Sequence, residues 1–316
     1  MLLQQAGYVI RKYRQEDFKG LLKLYRETEI SERSGLYPSS AQLQERFRDP
    51  RFSPEEDMLV VENKKNPGEI AALLEMAPEK AIKRVVLSGL VHPLHRRKKL
   101  ASRFVEQACR QAAGQGAHVA HVNVARFNRA GQEVLSRLGF SPVRSFWELR
   151  ARTGWVCPEG AGPEIQDAAG SSLSLRSLQP GEEALLARLQ NRCFTGTWGY
   201  NPNTVEDICY QTSLEGNSMG DVVVLFQGED PIAYCWNRTD PRGQKGRIHM
   251  LGVVPEQRGN GLAGAVLQAG VFSLCQQGKN VVELTTDCSN TPACRLYFSS
   301  GFRVWSETLW FERSLA

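Results

Sequence analysis

The stretch VVPEQRGNGLAGAV, residues 253–266, joins two regular segments through a short turn rich in glycine. Apolar residues lead to Pro255, and small apolar residues resume after Gly261, where we predict a helix over Leu262–Gln276. The first N–H groups of a helix are unpaired, and glycines allow a ligand to approach the backbone closely. The stretch therefore predicts a strand, a turn that binds a pyrophosphate-like anion, and a helix, with Arg258 adding positive charge at the mouth.

The same pattern occurs earlier in the chain. A shift of 162 residues places residues 91–101 on residues 253–263, and valine, proline, arginine, leucine and alanine coincide. Without a gap, the shift also aligns Asn128 with Asn290. A period of this length indicates two whole domains rather than a solenoid.

The repeat and the composition predict the domain organisation. We expect an N-terminal copy over residues 1–152, a linker over residues 153–172, where glycine and proline are frequent, and a C-terminal copy over residues 173–316. A chain of 316 residues with 41% hydrophobic residues can bury a core in each copy.

Within the second copy, short apolar strands alternate with helical patterns. Strands are predicted over residues 173–178, 221–226, 231–236, 247–254, 281–286 and 302–311, and helices from residue 181 and over residues 262–276 and 292–299. In this copy the first strands are joined by hairpins and the later strands by helical crossovers, which is typical of a sheet with both antiparallel and parallel pairs. The predicted fold class is therefore α/β, with two domains that each form a mostly antiparallel sheet flanked by helices.

Charge and cysteine usage narrow the classes of partner. Residues 1–152 carry 27 Lys and Arg against 17 Asp and Glu, whereas the rest of the chain is net acidic. Because these charges are dispersed, except at residues 96–99, we predict a solvated basic face and no nucleic-acid partner. No long apolar run or leader pattern is present, and eight scattered cysteines include no C-x-x-C pair. We expect a cytoplasmic protein with reduced thiols, without a membrane partner.

Two motifs of the second copy together resemble a known family. Residues 258–263, RGNGLA, match the R/Q-x-x-G-x-G/A signature of the GNAT-type N-acetyltransferases, and residues 253–255 match its V-x-P lead-in. Residues 290–302, NTPACRLYFSSGF, look like the second signature of that family. The repeat extends the resemblance over nearly the whole chain as a tandem. The tandem order, with Asn191-Arg192-Cys193-Phe194, is also similar to mycothiol synthase relatives, but in architecture alone.

The resemblance implies transfer of an acetyl group from acetyl-CoA directly to a primary amine. It implies that the backbone of the fourth strand binds pantetheine and polarises the thioester, that the turn and helix start hold the pyrophosphate, and that an asparagine touches the pantetheine arm. The cofactor-binding residues implied in this way are Leu251, Gly252, Val253, Arg258, Gly259, Asn260, Gly261, Leu262, Ala263, Gly264 and Asn290.

The resemblance also assigns catalytic candidates. Tyr297 would protonate the leaving CoA thiolate, although a tyrosine on an apolar helix can also simply pack in the core. His249 lies two residues before Leu251, which predicts the same side of the strand, and its ordinary pKa near 6.5 suits a general base. A satisfied structural histidine is the alternative reading, and Glu283 on the next strand is the competing base.

The first copy departs from the family pattern where the chemistry would be. Arg97 and Lys99 replace Gly259 and Gly261, while Leu135 replaces Tyr297, and Leu87 replaces His249. We therefore expect a degenerate copy that supports folding, shapes the acceptor cleft or binds a regulator. His92-x-x-His95 and His118-x-x-His121 lack a completing cysteine or carboxylate set, so no metal site is predicted.

Two hypotheses of different classes follow. The first is an acetyl-CoA-dependent N-acetyltransferase with its chemistry in the C-terminal copy, and the second is a non-catalytic acyl-CoA-binding sensor or scaffold. The joint presence of Arg258, Asn290 and Tyr297 favours the enzyme, because a sensor needs no acid at the sulfur. The acceptor could be a small-molecule amine or a peptide, and the internal pseudo-dimer favours a monomer.

Overall fold

The computed structural model describes residues 4–5, 7–32, 38–156, 173–239 and 243–315. The chain divides into two compact units. The first unit is Met1–Val143 with Leu309–Ala316, and the second unit is Arg144–Thr308.

The first unit has a sheet in the order β1-β2-β3-β4-β5-β6, with the end of the last strand of the chain beside β6. Neighbours from β1 to β5 are antiparallel, and β5 is parallel to β6. Its elements are β1 (Gln4–Gln5), β2 (Tyr8–Lys12), α1 (Phe18–Glu32), α2 (Ser40–Arg46), α3 (Pro54–Asp57), β3 (Met58–Asn63), β4 (Ile70–Glu79), β5 (Arg84–Val91), α4 (Leu100–Gly114), β6 (Val119–Ala125) and α5 (Arg129–Arg137).

The second unit repeats this design. Neighbours from β8 to β11 are antiparallel, β11 is parallel to β12, and β12 is antiparallel to β7. Its elements are β7 (Ser141–Arg152), α6 (Thr153–Val156), β8 (Leu173–Ser177), α7 (Glu183–Phe194), α8 (Val205–Ser213), β9 (Val222–Gln227), β10 (Asp230–Thr239), β11 (Lys245–Val253), α9 (Leu262–Gln276), β12 (Val281–Asp287), α10 (Thr291–Ser299) and β13 (Arg303–Ser314).

The elements confirm the repeat that the sequence predicts. The bounds of α4, β6, α5 and β7 fall, after a shift of 162, on those of α9, β12, α10 and β13. The predicted helix Leu262–Gln276 has both of its predicted ends. The predicted α/β fold, with two mostly antiparallel sheets flanked by helices, is confirmed.

The last strand of each sequence copy belongs, in large part, to the compact unit formed by the other copy. In the second unit, residues 146–152 of β7 pair antiparallel with Val281–Asp287. In the first unit, Phe311 is 3% exposed within the core, and Arg313 forms an ion pair with Glu106. The two compact units therefore have different bounds from the predicted segments 1–152 and 173–316. The division into functional domains at those segments stays a prediction. Apart from α6, the predicted linker lies outside the described residues.

Close packing of α9 on the sheet depends on glycine. A Cβ on Gly270 would come within 2.3 Å of the Cys235 Sγ, and a Cβ on Gly246 within 2.6 Å of the Leu274 side chain. Because neither residue has a side chain, the helix backbone lies directly against β10 and β11. This contact fixes the start of α9 relative to the end of β11.

Candidate active site

The edges of β11 and β12 separate in the middle of the second unit. Their parallel pairing covers Lys245–Ile248 and Val281–Leu284. Beyond that point β11 still pairs with β10 as far as Val253, and β12 still pairs with β7 as far as Asp287. The backbone of Leu251, Gly252 and Val253 thus borders an open wedge between two strands, which we call the notch. Unpaired strand edges of this kind can bind an extended ligand through main-chain hydrogen bonds.

The glycine turn after β11 has the predicted backbone. Gly259 and Gly261 have φ angles of 87° and 77°, in the left-handed region that favours glycine. A Cβ built on either residue would meet no atom within 4 Å, so the turn faces open space. Among the described residues no side chain caps the start of α9, and unpaired amides at a helix start can bind an anion.

Arg258 braces this turn. Its Nε donates to the Val253 carbonyl at 3.2 Å, and its Nη2 donates to the Cys193 carbonyl at 2.7 Å. These bonds tie the turn to the end of β11 and to α7. The turn residues Asn260, Leu262, Ala263 and Gly264 follow at the mouth, where the sequence placed them, and the Gly264 amide donates to the Gly261 carbonyl at 2.9 Å.

A β-bulge at His249 changes the direction of the β11 side chains. Trp236 and Asn237, adjacent on β10, face Met250 and Ile248, so His249 is the extra residue. The reversal is visible at two glycines. A Cβ on Gly246 would meet Leu274 of α9, whereas one on Gly252 would meet Cys193 of α7 at 2.9 Å.

The bulge corrects one expectation about His249. Leu251 pairs with Cys235, whose side chain faces α9, whereas the His249 ring lies edge-on against Trp236, with centroids 5.1 Å apart. Because adjacent residues of β10 face opposite sides, His249 and Leu251 do not share a side, and the simple alternation was wrong. His249 instead faces the α7 side of the sheet.

His249 also differs from an ordinary histidine in its pKa. Burial, reinforced by the neighbouring Arg238 and Arg247, holds its pKa well below 6.5. The imidazole is therefore neutral at pH 7. A neutral ring can accept a proton, but the positive neighbours make it a weak base.

Glu283, the competing base, is held in ion pairs. Its Oε1 lies 2.8 Å from the Arg150 Nε and 3.1 Å from the Lys245 Nζ, and its side chain is 14% exposed. These two contacts hold the carboxylate beside Arg150 and Lys245. Glu283 lies in the paired part of β12, directly before the notch opens.

Tyr297 packs in the core of the second unit, where it is 7% exposed and lies edge-on to Phe302 at 6.0 Å. Burial, with smaller contributions from Cys235 and Cys294, raises the pKa of Tyr297 well above 10. Within the described part of the chain its hydroxyl has no hydrogen-bond partner. The hydroxyl oxygen is not one of the enclosed atoms that lack a partner, so it reaches accessible space where a ligand atom can approach it.

Asn290 has a structural task in addition to the predicted one. Its Oδ1 accepts from the Ala293 amide at 3.3 Å and caps the start of α10. Asn128 caps α5 in the first unit in the same way, at 2.9 Å from the Gly131 amide. Asn290 therefore aligns α10, the helix that carries Tyr297.

The first unit keeps the shape of the turn without its glycines. Arg97 and Lys99 have φ angles of 63° and 56°, and the Arg96 Nε donates to the Val91 carbonyl at 3.1 Å, as Arg258 does to Val253. The side chains at the chemical positions are apolar. Leu135 and Leu87, the counterparts of Tyr297 and His249, are buried in the core of this unit.

Three of the four histidines of the first unit lie close to carboxylates. His92 lies 3.2 Å from Glu27, and His95 lies 3.3 Å from Glu69. His121 lies 2.8 Å from Glu312. No group of three His, Cys, Asp or Glu side chains within the described ranges could hold a metal ion. Over the same ranges, no helix is long and apolar enough to cross a membrane.

Sequence reasoning missed Arg238 and Arg247, which lie beside His249. Tyr234 and Trp236 are fully buried and pack in the core. The sequence did hold a signal for the two arginines. In residues 236–238 (WNR) and 247–249 (RIH), a charged residue lies two positions from an aromatic ring in an otherwise apolar strand.

Comparisons with known proteins agree with these features. The chain is 30% identical over 229 residues to the mycothiol acetyltransferase of Pseudarthrobacter chlorophenolicus, covering 70% of this chain and 67% of that protein. A GCN5-related N-acetyltransferase from Sphaerobacter thermophilus has a TM-score of 0.74 at 19% identity, covering 98% and 96%. A tandem GNAT protein from the clavulanic acid biosynthesis pathway has a TM-score of 0.72 at 14% identity, covering 98% and 99%.

The sequence profile of the acetyltransferase (GNAT) family matches residues 19–140 and 184–302, so both copies are included. Members of this family use acyl-CoA cosubstrates. The chain therefore belongs to the acetyltransferase (GNAT) family, as an acyltransferase enzyme with two copies of the fold in tandem.

Proposed function

We propose that the protein transfers an acetyl group from acetyl-CoA to a primary amine of a small molecule, and that the second unit performs the chemistry. The observation that carries the proposal is the notch between β11 and β12, which occurs together with an uncapped α9 and a tyrosine whose hydroxyl forms no hydrogen bond among the described residues. The family resemblance gives each feature a role: the strand edge for pantetheine, the helix start for the pyrophosphate and the tyrosine for the leaving thiolate. The first unit keeps the turn but has leucine in place of the tyrosine.

The cosubstrate would bind along the edge of β11. In this proposal the backbone of Leu251, Gly252 and Val253 holds the pantetheine arm, and an amide there stabilises the oxygen that gains charge. Residues 258–264 cradle the pyrophosphate, and Asn290 touches the arm while it caps α10. The open space at Gly259 and Gly261 supports this fit, because a side chain there would fill the cradle.

The reaction would proceed by direct transfer. The nitrogen lone pair of the amine attacks the thioester carbonyl carbon, a C–N bond forms, and the C–S bond of the tetrahedral intermediate then breaks. Tyr297 gives its proton to the leaving thiolate, and burial, which raises its pKa, keeps the hydroxyl protonated before that step. The products are the acetylated amine and CoA.

The amine nitrogen must also lose a proton, and we assign its acceptance to His249 rather than to Glu283. His249 is neutral and half-buried at the strand position where pairing ends, whereas both cations near Glu283 compete for its oxygen. The low pKa of His249 suits the late step, after attack, when the nitrogen is cationic and more acidic.

The acceptor class is also a proposal. Proteins named mycothiol acetyltransferase are the curated relatives, and they support a small-molecule amine over a peptide. We propose a cytoplasmic monomer, which the free cysteine thiols of the described residues support.

The test is release of CoA thiol from acetyl-CoA across a panel of primary amines that includes amino sugars, amino acids and peptides. Native protein is compared with Tyr297→Phe and with Tyr8→Phe, which removes a hydroxyl from the first unit. We expect amine-dependent release, a loss of about 100-fold in kcat for Tyr297→Phe, and less than about twofold for Tyr8→Phe.

Two results would contradict the proposal. If calorimetry shows that acetyl-CoA binds but no amine in the panel causes release of CoA, the result would favour the alternative of a non-catalytic acyl-CoA-binding protein. Release that survives in Tyr297→Phe would remove the assigned acid and leave Tyr297 as a core residue.

A further inference from the structure

Three basic side chains gather on one face of the second unit. Trp236 is 1% exposed and forms the floor. The Arg238 guanidinium lies 5.5 Å from its ring centroid, and the His249 ring lies edge-on to it at 5.1 Å. Arg247, two residues before His249 on β11, shares that side. The bulge at His249 keeps the histidine and Met250 on this face beside Trp236.

The two arginines of this group, which we call the arginine pair, contact neutral partners. Arg247 donates to the Thr285 hydroxyl at 2.5 Å, and Arg238 donates to the Gln211 amide oxygen. In the described ranges neither guanidinium forms an ion pair with a carboxylate. Arg150, Arg176 and Arg192 of the same unit each pair with at least one carboxylate, whereas Arg258 donates to backbone carbonyls.

Hydrogen-bond donors near the pair are also unused. The Nε of Arg238 and the Nε1 of Trp236 are buried, and neither has an acceptor among the residues that the structure describes. Buried donors without acceptors are uncommon in native proteins and call for an explanation. Arg238 offers a planar fork of N–H groups that matches the two oxygens of a carboxylate or phosphate.

Keeping these charges together is costly. Burial, and then the charge of Arg247, lowers the pKa of Arg238 to about 10. The same arginines help to lower the pKa of His249. Like charges that are half-buried without a counterion destabilise the free protein, and an anion between them would remove that cost. Sites of this kind are common where a ligand supplies the missing charge.

We propose that the arginine pair binds an anionic oxygen group of the amine acceptor, so that the substrate is an acidic amine with a carboxylate or phosphate. The inference rests on the proposed function, because it places the anion next to His249, the assigned base. The anion would then orient the amine of the same molecule toward the notch. Arg238 and Arg247 are specificity residues in this account.

The test compares acceptors that differ only in charge. β-Alanine and 4-aminobutanoate are each measured beside their neutral amides, and 3-aminopropylphosphonate represents the phosphate class. We expect native protein to prefer at least one acid over the matching amide by about tenfold or more in kcat/KM, as loss of a charged hydrogen bond implies. If only the phosphonate has a higher kcat/KM than the neutral amides, the anionic group is assigned as a phosphate. If the carboxylates have the higher kcat/KM, it is assigned as a carboxylate.

Variants locate the preference. Arg238→Gln and Arg247→Gln should reduce the acid-to-amide ratio to about one, and Arg238→Lys should keep part of it because charge remains without the fork. Arg188→Gln removes an exposed arginine of α7 and is the matched control, with an unchanged ratio expected. A ratio near one in native protein, or a ratio that both glutamine variants retain, would overturn the proposal.

A binding measurement separates this proposal from the proposed function. N-acetyl-β-alanine and its amide are titrated calorimetrically into native protein that holds CoA, and into Arg238→Gln. Tighter binding of the acid by native protein alone supports the arginine pair even if no amine turns over, in which case the proposed function fails by itself. Equal binding of acid and amide, together with equal turnover of both, removes the arginine pair and leaves the transferase intact.

Discussion

The turns after β5 and β11 have nearly the same backbone and different side chains. Arg97 and Lys99 adopt the left-handed φ angles that Gly259 and Gly261 adopt 162 residues later. For residues with a Cβ this conformation costs roughly 1–2 kcal/mol each. The first unit nevertheless keeps it, because Arg96 braces its turn as Arg258 braces the other. The fold therefore fixes the shape of the turn, and the side chains decide whether the shape can be used.

The strands before these turns show a second difference. The pairing of β4 with β5 runs through Arg84–Val91 without a shift, whereas the pairing of β10 with β11 has the bulge at His249. Leu87, the counterpart of His249, lies in the core of the first unit. One extra residue thus turns this position from the core toward the opposite face of the sheet. Bulges are frequent next to active sites, so this one supports the proposal that the second unit performs the chemistry.

The largest expected effect concerns this position. His249→Ala should lower kcat by about 100-fold, because the amine loses its assigned proton acceptor, while acetyl-CoA binding is retained. The measurement is CoA release under saturating acetyl-CoA. His121→Ala, which removes a strand histidine from the first unit, is the control and should retain kcat. Equal losses of kcat in both variants would indicate a structural effect, and would contradict the assigned difference between the two units.

Much of this site could be predicted from sequence. The repeat, the helix Leu262–Gln276 and the turn were predictable because glycine positions and apolar periodicity are local signals. The side of the sheet that His249 faces was not predictable. A bulge residue reverses the alternation of side chains, but nothing in the residue types of the strand reveals where it is inserted. The exchange of residues 144–152 and 309–316 was also hidden, since β7 and β13 both read as apolar strands and either could complete either sheet.

The next effect is a dependence of stability on pH. The pKa values of His95 and His121 in the first unit and of His249 in the second are lowered by burial. The unfolded chain, with ordinary values near 6.5, binds more protons below that pH. The free energy of unfolding should therefore fall as the pH drops through about 6.5, by at most about 1.4 kcal/mol per pH unit for each histidine.

Urea unfolding at pH 7.5, 6.5 and 5.5 measures this dependence, and single variants assign it to a unit. His249→Gln should flatten the dependence of the second unit, and His121→Gln that of the first. Stability that rises on acidification over this range would contradict the assigned shifts.

The smallest effect is expected at the two capping asparagines. Asn128→Ala and Asn290→Ala should each reduce the free energy of unfolding by about 1 kcal/mol, because each removes a side-chain cap. The Kd for acetyl-CoA, measured by calorimetry, should rise in Asn290→Ala alone. An equal rise in both variants would mean that both copies bind the cosubstrate, and no rise in either would leave Asn290 with its capping role only.

The most direct test of the account exchanges the turn residues between the copies. Gly261→Lys places the first copy's residue in the second turn, and Lys99→Gly does the reverse. Because Lys99 already adopts this backbone, we expect both variants to fold. The measured quantity is kcat/KM for acetyl-CoA. The account predicts a loss of about 100-fold or more for Gly261→Lys and a change below about twofold for Lys99→Gly. Full activity in Gly261→Lys, or an equal effect of both exchanges, would contradict chemistry in the second unit.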